Sequence, residues 1–255
     1  MDLEAAVRFV RARGDEAARL GLAVLLGEDA AVAATTAAVG AGQRADGGWA
    51  PFWMAESGLD ATCFRVAQLA ARGRVSSPMI RASAFLASRQ RPDGTWQEEP
   101  RHAACAPPWC RPGEAAADLY ATANCAYWLC RLAPDGEGAA RGGAALRARI
   151  GRGGDLGSFA RSDGLAAGAL HALGRPEAAV LLAALAGRLA SLSGGDLAWL
   201  VTALSDVGVP ASDTVVAAAR ARLARAQEAD GRWASDDGPS GDVHATLEAL
   251  RALRT

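Results

Sequence analysis

The chain has 255 residues, half of them apolar, with 27 basic and 28 acidic side chains and a net charge of −1. That length buries a sizeable core, and charges of both signs spread along the chain leave no footprint for nucleic acid and no basis for stable membrane insertion. All the basic residues are Arg, which excludes lysine Schiff-base and P-loop chemistry.

Alanine and leucine dominate and strand-type Val/Ile runs are nearly absent, so the segments read as helices. Leu3–Arg13 and Asp15–Leu26 come first. Met1 to Val10 is charged and amphipathic rather than a targeting segment. Ala30–Gly42 follows and runs into Gln43-Arg-Ala-Asp46-Gly47-Gly-Trp49. Leu59–Ala71 opens with Asp60-Ala-Thr62. Pro78–Arg89 runs into Gln90-Arg-Pro-Asp93-Gly94-Thr-Trp96. A proline-rich loop spans 97–114 and carries Trp109, and a loop of that length predicts an ordered, functional flap. Ala115–Leu132 begins a few residues before Asp118-Leu-Tyr120-Ala-Thr122. Ala139–Ile150, Gly164–Leu173, Pro176–Leu192 and Asp196–Val207 come next, Pro176 suiting a first helical position. Ala211–Ala226 runs into Gln227-Glu-Ala-Asp230-Gly231-Arg-Trp233, and Gly241–Arg254 opens with Asp242-Val-His244-Ala-Thr246.

One seven-residue pattern, Gln-x-x-Asp-Gly-x-Trp, thus occurs three times, each copy at a joint between helices. Gly154-Asp155-Leu-Gly-Ser-Phe159 reads as a decayed copy. Twelve helices in a helix–loop–helix repeat predict an all-α, (α/α)6 toroid of six inner and six outer helices, in a single domain over 1–255. Ala121–Leu129 and Gly164–Leu173 are apolar nearly all round, as inner helices must be.

The five cysteines, Cys63, Cys105, Cys110, Cys125 and Cys130, are odd in number and predict reduced thiols in a cytoplasm. The Ala/Gly/Arg bias suggests a GC-rich bacterial genome. His102-x-x-Cys105-x4-Cys110 does not have the spacing of a zinc site, and Asp236-Asp237-Gly-Pro-Ser-Gly-Asp242 reads as a loop rather than a magnesium site. No metal and no cofactor are expected.

The repeated Gln-x-x-Asp-Gly-x-Trp resembles the QW repeat of squalene–hopene and related terpene cyclases, whose ring is shared by the β subunits of protein prenyltransferases. The resemblance covers residues 40–254. It implies an α/α toroid in which Gln43, Trp49, Gln90, Trp96, Gln227 and Trp233 tie the ring together. The class II cyclases carry Asp-x-Asp-Asp-Thr at the start of an inner helix, the middle Asp protonating an alkene or epoxide. Aligned on Thr, this chain has Gly58-Leu-Asp60-Ala-Thr62, with only the middle Asp. It has Asp118-Leu-Tyr120-Ala-Thr122 and Asp242-Val-His244-Ala-Thr246, with Tyr and His at the donor position. The His that ligates zinc in the prenyltransferase branch has no counterpart before Thr62, Thr122 or Thr246.

The expected function is therefore terpene-cyclase-like. An apolar, isoprenoid substrate would be cyclised or isomerised by acid catalysis, with Asp60 as the acid and His244 and Asp242 tuning it if the two repeats face one another. Otherwise Asp60 only caps a helix. Tyr120 and Asp118 would share the rim. Phe52, Trp53, Phe64, Trp109, Trp128, Tyr127 and Trp199 are candidates to line the cavity, because ring faces favour cations. Two rivals stay open: a non-catalytic toroid that binds lipid or protein, and a zinc-dependent prenyltransferase-like protein completed by a partner subunit.

Overall fold

The computed structural model describes residues 1–72, 75–236 and 238–254, so Asp237 of the acidic loop lies outside the described residues. The described residues form twelve α-helices and no strand, apart from one isolated antiparallel bridge between Trp49 and Gly58. None of these helices is long and apolar enough to cross a membrane. The helices match those read from the sequence to within a few residues. The largest differences are four residues, at the end of α9 (Glu177–Arg188), where Leu189–Ser191 is a 3-10 turn, and at the start of α8 (Ala160–Ala172), four residues before Gly164; in α8 the sequence itself gives the reason. The extra turn of α8 holds Ser162 and Asp163, buried polar residues that hide an inner helix from a hydropathy reading.

The chain divides into two compact units, Met1–Ala37 with Ala186–Thr255, and Ala38–Leu185. The boundaries fall within α3, Asp29–Ala41, and α9, Glu177–Arg188. In the first unit, α12 (Asp242–Arg254) packs against α1 (Leu3–Arg13), α2 (Glu16–Leu26), α10 (Gly194–Ser205) and α11 (Thr214–Arg225). Asp2, Asp15, Ser193 and Asp213 cap α1, α2, α10 and α11 through their side-chain oxygens.

In the second unit, α6 (Ala115–Leu132) is the hub. It packs on α4 (Leu59–Leu69), α5 (Ser77–Ser88), α7 (Glu137–Arg147) and α8. Residues 121–130 of α6 and 162–170 of α8 are buried without a break. By contrast α5 buries one face only, through Pro78, Met79, Ala82, Phe85 and Leu86.

The three repeats build one joint three times. The indole N–H of Trp49, Trp96 and Trp233 donates to the carbonyl of Val39, Leu86 and Leu223, ten residues upstream in each case. The backbone N–H of the same Trp donates to the hydroxyl of Thr62, Thr122 and Thr246, at 3.0–3.1 Å. Each Gln amide bridges two backbones. Gln43 donates to Gly47 and Pro78, Gln90 to Gly94 and Gly138, and Gln227 to Gly231 and Asp2. The joint thus clips one helix pair to the first turn of the next helix. Its Gly is obligatory: at Gly94 φ is +83°, and an added Cβ would lie 2.6 Å from the carbonyl oxygen of Arg141.

The decayed copy keeps the turn and loses the clip. Gly154, at φ +79°, donates to Gly151 as Gly94 donates to Arg91. Ile150 and Leu156 stand where Gln and Trp stand in the other copies.

Candidate active site

The Thr hydroxyl gives a register for the helix starts. Thr62, Thr122 and Thr246 each donate to the carbonyl four residues back, that of Gly58, Asp118 and Asp242. Gly58, Asp118 and Asp242 are therefore equivalent, and so are Asp60, Tyr120 and His244.

The carboxyl of Asp60 is the best-furnished of these groups. It lies in the first turn of α4. Its Oδ1 accepts from the Tyr120 hydroxyl at 3.1 Å and its Oδ2 from the Trp109 indole N–H at 3.2 Å. Asn124 Nδ2 donates in turn to the Tyr120 oxygen at 3.3 Å. Burial raises the Asp60 pKa above the usual carboxylate value; the Trp109 and Tyr120 hydrogen bonds and the Arg161 charge oppose this without cancelling it. Burial likewise holds Tyr120 well above the ordinary phenol range, so its proton stays on and points at Asp60.

Glu98, unforeseen in the sequence, completes the cluster. It is 4% exposed, and its Oε1 accepts the backbone N–H of Asp60 at 2.9 Å. The Leu59 N–H also binds its carboxylate. Desolvation raises its pKa to about 7, with the neighbouring Asp60 and Glu99 charges adding to the rise. Cys63 and Cys125 hydrogen-bond one another beside it, and Cys110 closes the edge. Burial lifts all three thiols above their usual value, which keeps them as neutral, apolar wall rather than nucleophiles. The cleft lined by Leu59, Asp60, Glu98, Tyr120 and Asn124 leaves no room for a water-sized sphere.

Aromatic faces stand nearby. Phe159 meets Tyr120 edge-on at 6.1 Å and is 40% exposed. Phe64, 49% exposed, lies one helical turn beyond Asp60 on α4. Trp109 sits on a short 3-10 turn, Pro108–Cys110, of the proline-rich loop. This loop doubles the Trp-to-Thr spacing, from thirteen residues in the first and third copies to twenty-six in the second.

The other expected residues have different surroundings. Asp118 accepts from the Gly113 N–H and the Gln97 amide, tying down the end of the same loop. Phe52 is 86% exposed and edge-on to Trp53 at 4.9 Å. Trp128 is buried on α6 against Tyr127, with Arg131 over its ring. In the first unit Asp242 is buried, accepting from the Ser235 N–H at 2.8 Å and ion-pairing with Arg232 at 3.2 Å. His244 is exposed on α12, and Trp199 is half-buried on α10. Cys105 is exposed, while the imidazole of His102 lies 3.8 Å from Glu56. Among the described residues no group of three His, Cys, Asp or Glu could hold a metal ion.

No family model matches the sequence, and no curated protein matches it significantly. Solved structures do match. A variant of the type II terpene cyclase MstE from Scytonema, in complex with its substrate geranylgeranyl dihydroxybenzoate, superposes with a TM-score of 0.65. That alignment covers 98% of this chain and 95% of that one at 17% identity. The fold is terpene-cyclase-like. The apo form of the same cyclase matches at a TM-score of 0.64 and 16% identity, over 98% and 96% of the two chains. A protein from Actinoplanes matches at 0.66 and 21%, over 99% and 97%. The likeness shows the all-α, α/α-toroid class expected from the repeats.

Proposed function

We propose that this protein is an acid catalyst that cyclises or isomerises an apolar, isoprenoid alkene, with Asp60 as the proton donor. The observation that carries this reading is the Asp60 carboxyl itself. Burial raises its pKa, and a side-chain donor stands on each oxygen, ready to stabilise the carboxylate that proton loss creates. The terpene-cyclase-like fold and the aromatic faces of Trp109, Tyr120 and Phe159 support it. In this reading Tyr120 and Trp109 take the tuning role expected of His244 and Asp242. The partners of Asp242 are Arg232 and Ser235.

The step balances without a cofactor. The Asp60 O–H bond breaks as a C–H bond forms on one alkene carbon, leaving a cation on the other. A second alkene closes on that cation with its π pair, making a C–C bond. A final C–H bond gives its proton to water, and solvent reprotonates Asp60. Substrate and product then have equal mass.

Incubation with farnesol or geranylgeraniol tests this. A cyclic or shifted-alkene isomer should form in water, and the same product one mass unit heavier in D2O. Asp60→Asn should abolish product while leaving the melting temperature near that of wild type. Undiminished turnover by this variant would remove Asp60 from the role.

A second reading, a non-catalytic binder of lipid, is favoured by the incomplete Asp-x-Asp-Asp-Thr motif, which keeps only Asp60 before Thr62. Organic extraction of purified protein would then return a bound lipid that incubation leaves unaltered.

A further inference from the structure

Helix α4 begins without a cap of its own. Gly58 is its N-cap residue and offers no side chain, whereas the equivalent Asp118 and Asp242 each accept a backbone N–H of the preceding loop. The first repeat, the one that bears Asp60, thus lacks the carboxyl that the other two possess. Yet its free N–H groups are not left open. Those of Leu59 and Asp60, the first two residues of the helix, go to Glu98. Glu98 comes from the next repeat, two residues after Trp96. Its Oε1 stands 3.3 Å from where a Cβ on Gly58 would be. The carboxylate of one residue fills the space that the missing side chain of the other leaves.

We propose that Glu98 is the positioning residue for Asp60, supplying from the neighbouring repeat the carboxyl that the first repeat lacks at Gly58. It acts through the backbone. Its two N–H contacts fix the first turn of α4 and so the direction in which the Asp60 side chain leaves the backbone. That direction places one Asp60 oxygen under the Tyr120 hydroxyl and the other under the Trp109 indole N–H. The titratable groups facing Glu98 are Asp60 and Cys63 on α4, Cys110 and Glu99 of the loop, and Cys125 on α6. The thiols are neutral. The Arg161 charge acts on Asp60 to lower its pKa.

Three variants separate the roles. Glu98→Gln keeps an oxygen to accept the N–H groups and removes the charge. Glu98→Ala removes both. Glu98→Ala with Gly58→Asp moves the carboxyl to the place it occupies in the other repeats. Space for it exists, since the closest atom to the new Cβ is the terminal methyl of Met54, at 2.8 Å, at the end of a flexible side chain. The backbone at Gly58 is extended, as an N-cap Asp requires.

The readout is the 13C shift of the Asp60 carboxyl against pH, assigned with Asp60→Asn, together with turnover of geranylgeraniol. Glu98→Gln, which still accepts the N–H groups, should keep kcat near that of wild type, whereas Glu98→Ala should raise the Asp60 pKa as the carboxyl leaves its Tyr120 and Trp109 donors. Glu98→Ala should cut kcat at least tenfold, and the double variant should recover most of that loss and return the Asp60 titration toward wild type. A Glu98→Gln protein as impaired as Glu98→Ala, with a double variant no better than either, would overturn the proposal. So would a Glu98→Ala protein that is merely less stable, with Asp60 titration and kcat unchanged. The turnover arm rests on acid catalysis by Asp60 and the titration arm does not. A wild-type protein inert toward isoprenoid alcohols would sink the proposed reaction and leave the titration to decide the role of Glu98.

Discussion

Asp60 illustrates how opposing effects are settled at a single residue. Removing a carboxylate from water is the largest influence on it, and two hydrogen bonds plus one Arg reduce that influence. The balance leaves a carboxyl with a raised pKa whose conjugate base has a donor on each oxygen. Tyr120 is the direct test. Tyr120→Phe removes one donor from the nascent carboxylate, and a hydrogen bond to a charged group contributes about 1.5–3 kcal/mol. The expected result is a drop in kcat of roughly 10- to 100-fold and a further rise in the Asp60 pKa, seen by steady-state kinetics and carboxyl NMR. Unaltered kinetics would detach Tyr120 from the acid. Asp60 and Tyr120 were legible in the sequence because the shared Thr register marks them. Trp109 was legible as the one large aromatic of a proline-rich insert. Glu98 and Phe159 were not. Both lie in loops, where no periodicity marks a residue, and Glu98 acts across repeats. Its only trace was negative, the absent acid at Gly58.

At the scale of elements, the helices and their joints were the most readable part, because the repeat fixes register in sequence before any contact is known. What remained hidden was direction. The pattern shows that Gln and Trp recur; it does not show that the Gln43 and Gln90 amides reach the first turn of the helix after next, and Gln227 the start of α1, while the indole holds the helix before. Nor does it show that Thr, and not the Asp beside it, receives the Trp backbone N–H. That last bond yields a prediction. Thr122→Val is close to isosteric but leaves the Trp96 N–H buried without its acceptor, at a cost of about 1–3 kcal/mol. Gly94→Ala should cost more than ~1 kcal/mol, since it combines a positive φ with a Cβ driven into the Arg141 carbonyl. Urea denaturation of both variants checks this. A neutral Thr122→Val would mean that the hydroxyl contributes nothing to the joint.

For the molecule as a whole, the buried carboxyls make stability depend on pH in an unusual sense. In the folded chain Glu98 holds its proton up to about 7, against an ordinary value of 4.5. Between those values the folded state binds more protons than the unfolded one, so unfolding free energy falls as pH rises. One pKa unit corresponds to about 1.4 kcal/mol, so the loss from Glu98 alone is on the order of 3 kcal/mol across the window. Asp60, also raised, adds to it with the same sign. Asp93 and Glu177 are lowered, so the stability that they contribute is present above their unfolded values and lost only below them. Both are solvated enough to be screened, and neither acts between the two Glu98 values. The unfolding free energy of wild type in urea should therefore be higher at about pH 5 than at about pH 7.5, and Glu98→Gln should flatten the difference. The opposite slope, which a protein rich in surface ion pairs shows on acidification, would mean that Glu98 is solvated and that the first turn of α4 is held by something else.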